Sequence, residues 1–176
     1  MTAGGTAIPE VQRLLCALAA GKRVAEAGAA FGETAALMAQ TATTVVTAEL
    51  DRDREQRARE RLRGVENVTL LHGDWRTELP PHGPVDLLFL DAGTFKHEPA
   101  ADGPRAIGML APGGLLVIDD LTPGVGDDLA REYLFGHPQL AAAEVLTTPR
   151  TAAIVAARLV AAQPSTTRPC SGPSRR

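Results

Sequence analysis

The stretch Glu26-Ala27-Gly28-Ala29-Ala30-Phe31-Gly32 decides the fold of this chain. It follows the short apolar pair Val24 and Ala25 and precedes a helical pattern from Glu33 to Gln40. This order predicts a strand, a glycine turn and a helix. Glycine lacks a Cβ and takes positive φ readily, so its backbone can come close to a ligand. We therefore expect a ligand-binding turn at Gly28, Ala29 and Gly32.

The glycine spacing separates two kinds of ligand. A dinucleotide-binding turn reads G-x-G-x-x-G, and Ala30 and Glu33 occupy two positions where that pattern needs glycine. The charge of Glu26 would also repel a pyrophosphate, which prefers free N–H groups at a helix N-terminus. An acid two residues before the first glycine, with another glycine four residues after it, instead resembles the first motif of class I S-adenosylmethionine-dependent methyltransferases. An NAD-binding oxidoreductase remains as a rival interpretation.

Length and composition indicate one compact domain. The 176 residues are 44% hydrophobic and 22% charged, which suits a single α/β domain over residues 1–162 with a short N-terminal helical segment at 1–21. Residues 163–176 are rich in Pro, Ser, Thr and Arg, which predicts a disordered tail. The net charge of −3 and the pI near 5.8 argue against a nucleic-acid partner.

The sequence also predicts where the protein resides. No apolar run reaches the roughly 18 residues of a membrane span, and the first residues lack a signal-peptide pattern. Cys16 and Cys170 have neither disulfide nor metal spacing, and Cys16 is expected as a buried thiol on an apolar helical face. These features predict a cytoplasmic protein without a membrane partner. The bias to Ala, Arg, Gly and Pro is typical of a GC-rich bacterial genome.

Strand and helix patterns alternate along the chain. Predicted strands cover Arg23–Ala27, Thr44–Glu49, Asn67–His72, Val85–Asp91 and Leu115–Asp119, and predicted helices cover Pro9–Ala20, Glu33–Gln40, Arg52–Arg63, Ala100–Leu110 and Asp127–Phe135. Continuous apolar runs such as Leu87–Leu90 are typical of strands buried on both faces. The alternation predicts a Rossmann-like α/β fold, with a mainly parallel sheet and helices on both faces. Leu140–Thr147 and Thr151–Leu159 add a C-terminal antiparallel hairpin, an arrangement that resembles the class I methyltransferase fold.

Acidic residues recur at the ends of these strands. They are Glu26, Glu49, Asp91 and the pair Asp119-Asp120, with Asp74 following Gly73 after the third strand. In an open parallel sheet, ligands bind beyond the carboxyl ends of the strands. Each acid taken alone is better explained as a helix N-cap or a solubilising residue at a strand end. Their recurrence at one edge predicts a ligand site.

The expected positions fit S-adenosylmethionine. Glu49 comes about 20 residues after the glycine turn, where an acid accepts hydrogen bonds from both ribose hydroxyls, and Leu50 follows it. Asp74 would accept from the adenine amine, and Trp75 would form an apolar wall, although ordinary packing explains Trp75 equally well. The cofactor has no phosphate, and its ammonium group suits the acids near the turn.

The acids Asp91, Asp119 and Asp120 form a second group. Three carboxylates from two adjacent strand ends would repel one another if left empty. Hard oxygen ligands suit Mg²⁺. A bound metal would lower the pKa of a coordinated hydroxyl and make its oxygen a better nucleophile.

Four segments together resemble the metal-dependent catechol O-methyltransferase family: Val24 to Gly32, Val46 to Glu49, Leu88 to Asp91, and Pro112 to Asp120. The likeness runs from about Pro9 to about Leu159. It implies one metal-binding Asp after the fourth strand, matching Asp91, and a pair after the fifth, matching Asp119 and Asp120. Asn is common where Asp120 stands, so this site is more acidic than usual.

The same resemblance implies a lysine that acts as general base on the substrate hydroxyl. Lys96 is the nearest candidate, about two residues further along than expected, and an exposed loop lysine is the alternative explanation for it. His97 is a rival base. His72 is expected to be a core or edge histidine. Together with Asp91, Lys96 would make up the catalytic group.

The expected reaction is methyl transfer to a hydroxyl of a small molecule, phenolic or polyhydroxylated. Two alternatives stay open: a metal-independent N- or O-methyltransferase, and a non-catalytic cofactor-binding subunit. The short segment before the first strand predicts an open pocket, which a large substrate or the second copy in a homodimer would close. Phe95 and Tyr133 are candidate walls for the acceptor.

Overall fold

The computed structural model describes residues 5–125 and 128–160. Within them lies one seven-stranded sheet with the strand order β3-β2-β1-β4-β5-β7-β6. The strands are β1 Arg23–Ala27, β2 Thr44–Glu49, β3 Val68–His72, β4 Val85–Leu90, β5 Leu110–Leu121, β6 Leu140–Thr148 and β7 Thr151–Arg158. The first five strands are parallel to one another, and β7 is antiparallel to both β5 and β6.

Seven α-helices accompany the sheet in the described residues. They are α1 Pro9–Ala19, α2 Glu33–Met38, α3 Arg52–Arg61, α4 Trp75–Glu78, α5 Thr94–His97, α6 Pro99–Met109 and α7 Leu129–Gly136. None of them is long and apolar enough to cross a membrane. The predicted order of the strands and of the five predicted helices is confirmed, and so is the Rossmann-like α/β class.

Strand β4 shows why the sheet is covered on both faces. Successive side chains of a strand point to opposite faces, and all four residues from Leu87 to Leu90 are fully buried. Leu87 and Phe89 belong to a core cluster with α1 and α2, whereas Leu88 and Leu90 pack in a second cluster on the other face. The continuous apolar run is thus explained by helices on both faces of the sheet.

Several predicted boundaries differ from the observed ones. β5 begins at Leu110 rather than Leu115, because Leu110 pairs with Val85 before a register shift. The short helices α4 and α5 are absent from the sequence prediction, since four-residue segments have too little periodicity to detect. The last predicted helix is observed from Leu129, and residues 126–127 lie outside the described part of the chain, as does the predicted tail at 163–176. Cys16 is half-buried rather than buried, and burial raises the pKa of its thiol.

The C-terminal hairpin occurs where the sequence predicts it, but its placement in the sheet is a tertiary outcome. The second strand of the hairpin, β7, lies between β5 and β6. Its residues 152–154 and Ala156 are fully buried, while β6 has the more exposed pattern of an edge strand. The more apolar strand of the hairpin therefore takes the interior position.

Gly32 has a structural role at the contact of α2 with α3. Its φ is +78°, and a Cβ at this position would lie 3.2 Å from Ala58 Cα and 3.2 Å from Leu62 Cγ. Gly64 has a similar φ of +84° but nothing within 4 Å of the corresponding point. These two glycines differ mainly in the space available to a side chain.

We predict that Gly32→Ala destabilises the fold more than Gly64→Ala. Both variants bear the left-handed strain of about 1 to 2 kcal/mol, and Gly32→Ala adds overpacking of about 1 to 3 kcal/mol. Urea unfolding followed by Trp75 fluorescence gives both free energies of unfolding. Equal losses would show that α3 does not restrict the turn.

Candidate active site

The parallel register brings the glycine turn and two acids to one edge of the sheet. Ala27 pairs with Ala48 of β2 and with Leu90 of β4. The residues that follow these three in the chain are Gly28, Glu49 and Asp91, so all three lie at the carboxyl edge of the sheet. Gly28 has φ +99°, and a Cβ there would lie 3.4 Å from the carbonyl carbon of Asp91. Glycine is favoured here by its backbone conformation and by this close approach.

Glu26 lies beneath the turn and is 1% exposed. Burial raises the pKa of its carboxyl to about 7, the hydrogen bond from Thr47 opposes the rise, and the charge of Glu49 adds to it. Thr47 Oγ1 donates to Glu26 Oε2 at 2.5 Å. A cationic ligand group beside Glu26 would favour its charged form.

Glu49 fixes the turn as well as facing the cleft. Its Oε2 accepts from the N–H of Ala30 at 2.8 Å, and its Oε1 accepts from the N–H of Asp51 at 2.9 Å. Ala30, where the dinucleotide pattern requires glycine, has φ +46°. Each carboxylate oxygen has a further lone pair, so Glu49 can still accept from a ribose hydroxyl.

A cleft of about 290 Å³ lies along this edge, and we call it the cofactor cavity. It is lined by predicted cofactor residues together with basic and loop residues: Gly28, Ala48, Glu49, Leu50, Arg54, Gly73, Asp74, Trp75, Arg76, Asp91, Ala92, Gly93 and Thr94. Leu50 is 70% exposed and lies at this cavity. The structure therefore brings most of the predicted cofactor residues together.

Ala29 and Gly32 do not line this cavity. Ala29 is buried, and its N–H donates to Ala48 O at 3.1 Å. Gly32 faces α3, as described above. Both residues thus have packing roles in the turn, and their contact with the cofactor remains a prediction.

Asp74 and Trp75 have structural contacts in addition to lining the cavity. Asp74 is the N-cap of α4, with Oδ1 accepting from Arg76 N at 2.9 Å and Oδ2 from Arg76 Nη1 at 3.2 Å. Trp75 is 5% exposed, and its indole N–H has no hydrogen-bond partner among the described residues. Contact with adenine remains a prediction for both.

An ion pair that sequence reasoning missed supports this wall. Arg76 donates to Asp102 from Nε at 2.7 Å and from Nη2 at 3.0 Å, and Asp102 is buried in α6. The Arg76 guanidinium also lies 5.8 Å from the centre of the Trp75 ring. Arg76 and Asp102 are 26 positions apart in the sequence, so no local pattern could have indicated this ion pair.

The predicted metal residues do meet. One carboxylate oxygen from each of Asp91, Asp119 and Asp120 lies within 4.8 Å of the other two, and we call this group the carboxylate cluster. Burial, followed by the charge of Asp119, raises the pKa of Asp91 to about 8. Burial and then Asp120 raise the pKa of Asp119 to about 6. Asp119 Oδ1 is buried without a hydrogen-bond partner in the described residues.

The candidate bases lie next to this cluster on α5. Lys96 Nζ is 3.5 Å from Asp120 Oδ2, and His97 is exposed. Both line a second cavity of about 330 Å³, whose apolar wall includes Leu121 and Leu129. His72 is an exposed residue of the edge strand β3, as expected.

Phe95 and Tyr133 do not form an acceptor wall. Phe95 is fully buried and packs edge-on against Tyr133, with 6.0 Å between ring centres. Tyr133 also packs onto Gly103, where a Cβ would lie only 2.2 Å from the phenolic oxygen. The two rings are part of the core between α5, α6 and α7, so this expectation is wrong.

Comparison with solved structures identifies the fold. Cofactor-bound Rv0187 from MTB matches with a TM-score of 0.73 at 24% identity, over 88% of this chain and 83% of the other. An O-methyltransferase from Bacillus cereus in complex with SAH matches at 0.73 and 18%, over 87% and 82%. The O-methyltransferase TomG from Streptomyces achromogenes, in complex with SAM, matches at 0.68 and 19%, over 91% and 84%. At such identities the likeness concerns the fold alone. No curated protein sequence matches the chain.

Fold and site together define a class I methyltransferase. The chain belongs to the family described as a methyltransferase domain, whose model matches residues 25–121. That segment runs from β1 to the end of β5 and includes the glycine turn, Glu49 and the carboxylate cluster. The prediction of an S-adenosylmethionine-dependent methyltransferase is thereby confirmed, and the NAD interpretation is set aside.

We predict that Glu26→Gln changes how stability depends on pH. The folded-state pKa of Glu26 is raised from 4.5 to about 7, so its protonated form favours folding. The wild-type protein should lose stability from this group as pH rises from about 4.5 to about 7, and the loss is complete above that range. The free energy of unfolding of the Gln variant minus that of the wild type should therefore be about 2 to 3 kcal/mol larger at pH 8 than at pH 4.

The measurement is urea unfolding of the ligand-free protein at several pH values. Glu60→Gln, on the exposed side of α3, serves as the control and should follow the wild-type profile, including the contributions of Asp91 and Asp119. A constant difference between Glu26→Gln and wild type across this range would refute the assignment.

Proposed function

We propose that this methyltransferase transfers the methyl group of S-adenosylmethionine to a hydroxyl of a small molecule, with Mg²⁺ at the carboxylate cluster. The carboxylate cluster itself is the observation that carries the proposal. Two of the similar structures are O-methyltransferases with SAM or SAH bound, which supports the same reaction type. A phenolic or polyhydroxylated acceptor suits a site that must activate an oxygen.

The cluster fits a hard divalent cation. One carboxylate oxygen of each residue lies within 4.8 Å of the other two, close enough together for one small cation to bind all three after small side-chain movements. The side chain of Asp120 is the most exposed of the three, at 67%. Asp119 Oδ1 is buried without a hydrogen-bond partner among the described residues, and such an atom is costly unless something binds it. Asp120 has φ +56°, which Asp and Asn tolerate better than most residues.

The residues around the cluster have complementary roles in methyl transfer. Asp91, Asp119 and Asp120 would hold the metal, which lowers the pKa of a coordinated acceptor hydroxyl when bound. Lys96, beside Asp120, would take the hydroxyl proton from its neutral form, after losing its own extra proton to solvent, and His97 is the alternative base. Glu49 and Gly28 would hold the cofactor with its methyl group towards the acceptor oxygen. Methyl transfer would form the bond from that oxygen to the methyl carbon and break the sulfur–methyl bond, which releases S-adenosylhomocysteine.

The Lys96–Asp120 contact favours a second candidate, a metal-independent methyltransferase. An ammonium 3.5 Å from Asp120 already supplies positive charge to the cluster. In that case Asp91 would contact the ammonium of the cofactor. A chelator separates the two candidates, because only the first loses activity.

We predict that EDTA abolishes methyl transfer to hydroxylated acceptors and that added Mg²⁺ restores it. Asp119→Asn should lower kcat/KM by about 100-fold or more, because a buried metal ligand is lost. The assay follows S-adenosylhomocysteine release by the purified chain with a panel of phenols and catechols. Turnover in this assay would also exclude a non-catalytic subunit.

The control for the acidic substitution is Asp53→Asn, an exposed Asp on α3 that should leave kcat/KM unchanged. Activity that persists in EDTA, with Asp119→Asn still active, would contradict the metal and leave the metal-independent reaction. Calorimetry with S-adenosylhomocysteine shows independently whether each variant still binds the cofactor product.

A further inference from the structure

The glycine turn offers few free donors to an anionic ligand group. Four of its five N–H groups already donate hydrogen bonds within the protein, at 2.7 to 3.1 Å: those of Gly28, Ala29, Ala30 and Gly32. A carboxylate at this end of the cleft must therefore find its donors mainly among side chains.

Three basic side chains line the cofactor cavity or the smaller cavity of about 190 Å³ that adjoins it: Arg54, Arg76 and Lys96. Arg76 is paired with Asp74 and Asp102, and Lys96 with Asp120. Arg54 has no carboxylate within 4.0 Å and no side-chain hydrogen bond in the described residues. Among the described residues that line the cleft, Arg54 is the basic side chain whose charge and N–H donors are not already paired.

The backbone of Arg54 is held in α3 by a hydrogen bond, whereas its side chain has no partner among the described residues. Its N–H donates to the N-cap residue Asp51 at 2.9 Å in the first turn of α3. Its partly buried side chain lines both cavities, and Gly28, Glu49 and Asp91 line both of them as well. The Arg54 side chain is therefore available to a ligand that occupies this cleft.

S-Adenosylmethionine has one anionic group, the carboxylate of its methionine part. Glu26 and Asp91 suit its cationic ammonium and sulfonium groups, and no acid can bind the carboxylate. We infer that Arg54 binds this carboxylate as a bidentate partner, which a planar guanidinium does better than an ammonium. This assignment rests on the proposed cofactor and adds a residue that determines how its methionine end is held.

The test compares two ligands that differ only in that group, S-adenosylmethionine and its decarboxylated form, by calorimetric titration. Arg54→Gln should weaken binding of S-adenosylmethionine by about 10- to 100-fold. Binding of the decarboxylated ligand should change by less than about twofold. Arg54→Lys should lie between wild type and Arg54→Gln for the intact cofactor, since it keeps the charge and loses the fork.

Arg57→Gln is the matched control. Arg57 is on the same helix, but its guanidinium lies over the Phe31 ring at 5.7 Å and outside both cavities, so both affinities should equal those of wild type. Equal weakening of both ligands by Arg54→Gln, or no weakening of either, would overturn the inference. Tight cofactor binding without turnover of any hydroxylated acceptor would refute the proposed reaction alone, and wild-type failure to bind S-adenosylmethionine would overturn both.

Discussion

Parallel pairing of β1 with β2 on one side and β4 on the other is the constraint on which the site depends. It aligns Ala27 with Ala48 and Leu90, so the three following residues leave the sheet at the same level. Glu49 then ties the turn to the end of β2 through Ala30 N and Asp51 N. A shift of the pairing by one residue would separate the turn from its acids and would move the side chains of the shifted strand to the opposite face of the sheet.

The same pairing concentrates negative charge in a poorly solvated place. Burial is the first cause of the raised pKa of Glu26, Asp91 and Asp119 alike. Such a group of acids is costly in an empty protein and favourable once a cation is bound. A sulfonium cofactor with an ammonium group, and a divalent metal, are cations of the required kind. The basic residues Lys96 and Arg76 offset part of the charge at either end of the cleft.

Several residues of the site combine structural and ligand-facing positions. Asp74 caps α4 and also lines the cofactor cavity, so its structural role does not compete with the predicted contact to adenine. Gly32 packs against α3. Asp102 has no contact with the cavity, yet it holds Arg76 beside Trp75. An acid at a strand end therefore needs its hydrogen-bond partners known before its role is assigned.

The sequence by itself determined the order of the strands and longer helices, the glycine turn and the acids at the ends of β1, β2, β4 and β5. These follow from periodicity and from parallel strands sharing an edge, which are local or topological properties. Tertiary structure alone decided that β7 lies between β5 and β6, that Phe95 is buried in the core, and that Arg76 pairs with Asp102. Each of these depends on contacts between residues far apart in the chain, and the residue patterns along the chain carry no information about such distances.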